Sequence, residues 1–98
     1  MTLLSRAVFD PHVKKVFRVK GGHHALTLHQ IDARKLEDFE GDLRMREPFN
    51  LIFRGPPGDV LKEGSYTLEV EDGPSFELYV MPIYTPFPDR QDYQASFN

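Results

Sequence analysis

The stretch Phe49-Asn50-Leu51-Ile52-Phe53-Arg54 decides the fold class. Phe49, Leu51 and Phe53 occupy every second position, and a strand points alternate side chains to opposite faces. A helix would instead bring together residues three and four apart. The stretch therefore reads as a half-buried strand whose inner face is aromatic and aliphatic. A slip of one residue would turn all three large side chains outward, so the register is strongly specified.

The same period recurs on both sides of it. Downstream, Tyr66, Leu68 and Val70 alternate with Thr67, Glu69 and Glu71, then Phe76, Leu78 and Val80 with Glu77, Tyr79 and Met81. Tyr93, Ala95 and Phe97 alternate with Gln94, Ser96 and Asn98. Upstream, Leu26 and Leu28 alternate with Thr27 and His29, and Phe17 and Val19 with Arg18 and Lys20. That makes about six strands. The inward set is Phe17, Val19, Leu26, Leu28, Phe49, Leu51, Phe53, Tyr66, Leu68, Val70, Phe76, Leu78, Val80, Tyr93 and Phe97. Fully burying side chains of this size contributes about 1.5–3 kcal/mol each before chain entropy is subtracted.

Turn chemistry separates the strands. Gly21-Gly22 reads as a two-residue hairpin loop in which both glycines accept positive φ. Asp72-Gly73 before Pro74 reads as a second hairpin. Gly55-Pro56-Pro57-Gly58 and Pro86-Phe87-Pro88-Asp89 read as stiff loops. Ala33–Phe39 has enough helix formers for one turn, with Leu36 and Phe39 on one face. Residues 1–7 read as a short helix or a tail. Strands joined by short turns, without a βαβ rhythm, predict an all-β fold: a small antiparallel barrel or sandwich.

Ninety-eight residues, 40% hydrophobic and 28% charged, with eight Phe and four Tyr, describe one folded domain over 1–98. The net charge is −3, which argues against a nucleic-acid binder. Residues 1–49 carry nine Lys or Arg against seven Asp or Glu, giving +2. Residues 50–98 carry three against eight, giving −5. Basic and acidic strands lying side by side in one sheet account for this asymmetry. There is no cysteine, so disulfide and thiolate chemistry are excluded. The first eight residues lack the apolar stretch and cleavage site of a secretory signal, and no run is long enough to span a bilayer. The default expectation is a cytoplasmic protein without membrane association.

Chemistry-bearing residues are sparse. His23, His24 and His29 lie within one hairpin, and the fold is free to bring His12 near them. Adjacent His23 and His24 on a strand would face opposite ways, so at most two imidazoles converge, short of the three or four ligands zinc takes. The expectation is no stoichiometric zinc, no other metal and no cofactor. Asp32, Glu37, Asp38, Glu40 and Asp42 stand beside Arg34, Lys35 and Arg44, a solvated and charge-balanced surface. They lack the regular spacing and turn glycine of a calcium loop. No Gly-x-Ser-x-Gly elbow surrounds any serine, and the prolines of residues 55–58 remove the N–H groups a phosphate cradle uses. Lys14, Lys15, Arg18 and Lys20 surround Phe17, but the alternation places Phe17 inside, where it cannot stack on a base. No catalytic residue is nominated.

Ile52, Tyr79, Met81 and Ile83 fall out of phase with the core. If the strands of Ile52 and Tyr79 are neighbours, these residues form a continuous outer apolar patch. The strand between would show the polar face of Thr67, Glu69 and Glu71 as contrast. Outer apolar patches mark interfaces. Here the sequence-level alternative is a cover, supplied by Leu3, Leu4, Val8 and Phe9 or by the turn at Leu36–Phe39.

Pro48-Phe49-x-Leu51-x-Phe53-x-Gly55, Leu61-x-x-Gly64-x-Tyr66-x-Leu68, Phe76-x-Leu78 with Pro82, and Tyr93-x-Ala95-x-Phe97-Asn98 resemble a family of small bacterial domains of unknown function. Neighbours of that family resemble phage tail-collar proteins. The resemblance implies a bacterial or phage-related origin and an assembly role, and it carries no active-site motif. The resulting expectation is a non-enzymatic interaction or structural module that binds a protein partner or itself. The alternative is a small ligand-binding or catalytic β-barrel.

Overall fold

Alternation of apolar and polar residues closes the chain into a six-stranded antiparallel barrel, seen in a computed structural model that describes residues 6–33 and 48–97. The strands are β1 (Val16–Val19), β2 (Ala25–Ala33), β3 (Phe49–Gly55), β4 (Gly64–Val70), β5 (Ser75–Pro82) and β6 (Gln91–Phe97). Around the barrel they run β1-β2-β3-β6-β5-β4, with β4 returning to β1. A short helix α1 (Arg6–Phe9), continued by a 3-10 turn over Asp10–His12, precedes them. The turn considered at Leu36–Phe39 lies outside the described residues, as do Leu3 and Leu4.

The inward set expected from the sequence fills the interior. Phe17, Leu26, Leu28, Leu51, Phe53, Leu68, Val80 and Tyr93 are fully buried, while Tyr66, Phe76 and Phe97 are partly buried against them. Three further residues join the core: Phe9, Leu61 and Ala95. Basic and acidic strands do pair, with Arg18 opposite Glu69 across β1 and β4.

Two details of the turns and strands depart from the expectation. The Gly21-Gly22 loop is wider than two residues: Val19 N–H donates to the His24 carbonyl and Gly22 N–H to the Val19 carbonyl, so residues 20–24 form the connection. Only Gly21 takes positive φ, at +80°. In β2 a bulge at His29 interrupts the pairing with β3 between Leu28 and Gln30. The extra residue resets the alternation, and Ile31, opposite Leu51, packs against the core.

Closure is uneven. β3 pairs with β6 at seven positions, whereas β5 meets β6 only at Met81↔Gln94 and Pro82↔Tyr93 among the described residues. The gap beside these pairs is where α1 inserts. Phe9 places its ring 4.8 Å from Phe76 of β5 and 5.5 Å from Phe97 of β6. Phe49 and Phe97 stack beneath it at 4.6 Å. The helix thus bridges the two strands by aromatic packing where their backbones do not pair.

Candidate functional site

The strand order settles how the four out-of-phase residues relate. β3 and β5 are not neighbours: β6 lies between them, and β4, with its polar outer residues, flanks β5 on the far side. The expected continuous patch is therefore divided. Ile52 and Met81 both stand opposite Gln94, forming the row Ile52–Gln94–Met81 across β3, β6 and β5. Each is partly buried. Tyr79 is 50% exposed and pairs instead with Ser65 of β4, its hydroxyl donating to the Glu63 carboxylate. That hydrogen bond raises the pKa of the phenol. Ile83 lies just past β5, partly buried, its N–H donating to the Asp92 carbonyl at 3.1 Å. Phe9 does not cover this row, because its ring packs among the inward side chains.

Two of the four exposed large apolar side chains among the described residues lie on the connection that follows. Tyr84 is 88% exposed and Phe87 50%. This segment is fastened at its base. The Thr85 hydroxyl donates to the Ile83 carbonyl at 3.0 Å and accepts from the Asp92 N–H at 2.9 Å. Gln91 Nε2 also donates to the Ile83 carbonyl. The Arg90 guanidinium sits 4.2 Å from the Phe87 ring centre and reaches Asp92 at 3.0 Å, a cation–π arrangement that holds the ring in place. The signal in the sequence was Tyr84-Thr85-Pro86-Phe87-Pro88, aromatics set among prolines, which reads as a loop and hides their exposure.

A basic edge adjoins this connection. Asp92 lies opposite Arg54 on β3, and Arg54 lies opposite Thr27 on β2. Lys14 Nζ donates to His29 Nδ1 at 3.2 Å. Burial, then the charges of Arg54 and Lys14, lower the pKa of His29, with Asp92 opposing. Two cations, Arg54 and Arg90, gather around the Asp92 carboxylate, and Lys14 lies beyond them against His29. The earlier basic group is differently disposed: Lys14, Lys15, Arg18 and Lys20 are exposed while Phe17 is fully buried.

At the β1–β2 hairpin the histidines take an arrangement the sequence did not suggest. His23 and His24 lie in the loop, so strand alternation does not separate them. Their rings stack with centres 4.3 Å apart. Both face Asp59 of the β3–β4 connection: His23 Nε2 is 2.6 Å from Oδ2 and His24 Nε2 is 3.3 Å from Oδ1. The hydrogen bond with His23 holds the Asp59 carboxyl below its ordinary pKa, partly opposed by desolvation. His29 and His12 stand apart, His12 edge-on to Phe17. Of the acidic stretch, Asp32 is exposed and accepts from Gln30. Glu37, Asp38, Glu40 and Asp42 lie outside the described residues.

Residues 4–97 match the family model described as a domain of unknown function, DUF6916. The chain belongs to this family. No curated protein and no solved structure matches the chain. The DUF6916 assignment spans the barrel and its opening helix together, so α1 belongs to the domain as much as the strands do. Among the described residues of this DUF6916 domain, no helix is long and apolar enough to cross a membrane.

Proposed function

We propose that this domain is a non-enzymatic protein-interaction module whose docking surface is the β5–β6 connection. The observation that carries the reading is the exposure of Tyr84 and Phe87 on a segment fastened by hydrogen bonds at its base. Aromatics held in water without freedom to collapse contribute contact area at low entropic cost, and Tyr, Phe, Met and Arg are the residues enriched at interfaces. Met81 and Ile83 precede the connection and Ile52 extends the row beyond Gln94, so all but Tyr79 of the four sequence candidates border this surface. Arg54, Arg90 and Lys14 give the adjoining rim a positive field, which suits a partner with an acidic rim around an apolar centre. A phage-tail-like assembly is the setting that the sequence resemblance implies for such a partner. The chain's net charge of −3 and its acidic outer face on β4 and β5 disfavour nucleic acid.

The test compares wild type with the double variant Tyr84→Ser, Phe87→Ser. Both go through quantitative capture from native lysate and sedimentation velocity, with a labelled single-stranded oligonucleotide as counter-probe. The variant should keep its melting temperature and lose either a defined captured protein or a concentration-dependent dimer. Identical captured sets and identical sedimentation for the two proteins sink the proposal. So does oligonucleotide binding that the double variant abolishes.

A further inference from the structure

The loop between β1 and β2 and the loop between β3 and β4 meet over a group of atoms with no role in the docking surface. His23, His24 and Asp59 each offer one ligand atom, and the three lie within 4.8 Å of one another. The geometry points to a binding site for a divalent transition ion of the zinc class, held by His23 Nε2, His24 Nε2 and Asp59 and open at its remaining positions. Two imidazoles and a carboxylate are a donor set that suits zinc and its neighbours, with solvent completing the coordination.

Three observations support a site over a chance surface cluster. First, His24 Nε2 is shielded from solvent and has no hydrogen-bond partner. It stands 3.3 Å from Asp59 Oδ1 without the geometry of a hydrogen bond. A buried ring nitrogen left unpaired costs free energy, and a metal ion converging on it would satisfy it. Second, the backbone holds both loops. The His24 carbonyl accepts from Val19 N–H at 3.0 Å. Two residues beyond Asp59, the Leu61 N–H donates to the buried Tyr93 hydroxyl at 2.8 Å. Third, the strand ends that carry the two loops run close together at Gly55. A Cβ on Gly55 would lie 2.8 Å from Leu26 Cδ2, so the end of β3 passes tightly against the start of β2, next to His24.

The expectation of no zinc counted ligands within a single hairpin. The third ligand comes from a different connection, 35 residues beyond His24. Only the fold brings it there.

Calorimetry with zinc chloride at neutral pH, on untagged full-length chain in a non-chelating buffer, tests the inference. One zinc per chain is expected, with a rise in melting temperature that grows with zinc concentration. His24→Ala should abolish the saturable site, Asp59→Asn should weaken it, and His29→Ala should leave it unchanged. Nuclear magnetic resonance of the wild-type protein provides a readout independent of any variant. Zinc should shift the resonances of His23, His24 and Asp59 while those of His12 and His29 stay in place. No saturable heat, a response centred on His29, or full binding by a folded His24→Ala variant would overturn it.

Discussion

Tyr93 shows how much one side chain can hold in a barrel this small. Its ring is fully buried, and its hydroxyl is the acceptor for the Leu61 N–H that seats the β3–β4 connection on the core. Burial raises the pKa of the phenol, so it remains a neutral hydroxyl in this setting. Tyr93→Phe keeps the ring and removes the acceptor, leaving a buried N–H without a partner, at a cost of about 1–3 kcal/mol. Urea denaturation should register that loss with an unchanged m-value. The Tyr93 ring was legible in the sequence as an inward residue because strand alternation fixes its direction. The bond to Leu61 was not, because the two residues lie 32 apart and meet only through the closure of the barrel. His23 and His24 follow the same logic. Strand alternation would separate them, yet they lie in a loop wider than the two glycines suggested, and no local pattern reveals Asp59 opposite them.

Single elements show where period-two reading succeeds and where it stops. All six strands stand where alternation and turn residues place them, since half-buried strands announce themselves residue by residue. The bulge in β2 was invisible, because one inserted residue leaves short alternating runs on both sides of it. Its consequence is chemical. His29 is the extra residue, and it faces Lys14 from the preceding turn, Arg54 from β3, and Arg90 and Asp92 at the start of β6. Its folded pKa lies below the ordinary 6.5, so in the window just below that value the unfolded chain binds more protons than the folded one. Stability therefore falls as the pH drops through about 6.5. Melting temperatures of wild type and His29→Gln from pH 7.5 to 5.5 should diverge, with the variant losing less. Equal slopes would refute the assignment of that loss to His29. In α1, Phe9 was read from the sequence as a candidate cover for the outer patch, but it occupies the interior between β5 and β6. Phe9→Ala should cost about 3–5 kcal/mol, the range for large buried aromatics. Guanidinium titration gives the number, and a loss under 1 kcal/mol would show that α1 is dispensable to the core.

At the scale of the whole molecule, the sequence leaves barrel and sandwich open, and a continuous outer patch requires β3 and β5 to be adjacent. Each strand's inner face was legible, but the order of strands around the ring depends on long-range pairing that local patterns do not encode. The order β1-β2-β3-β6-β5-β4 carries Ile52 and Met81 to opposite sides of Gln94 and sets Tyr79 apart on the β4 side. The proposed docking surface accordingly lies on the connection after β5 rather than on a strand face. The uneven fastening of the ring has a further consequence, in how the molecule breathes. Opening need not begin with the long β3–β6 ladder, because parting two residue pairs and the Ile83–Asp92 hydrogen bond and lifting one aromatic ring would unlatch the cylinder into a curved sheet. Such sub-global excursions lie below global unfolding in free energy. Deuterium uptake should thus proceed in order, sooner in the Met81 and Ile83 amides of the short β5–β6 seam and last in the β3 amides bonded to β6. Phe9→Ala should accelerate the first group far more than the second, giving a domain whose rim exchanges with solvent while its opposite wall stays sealed.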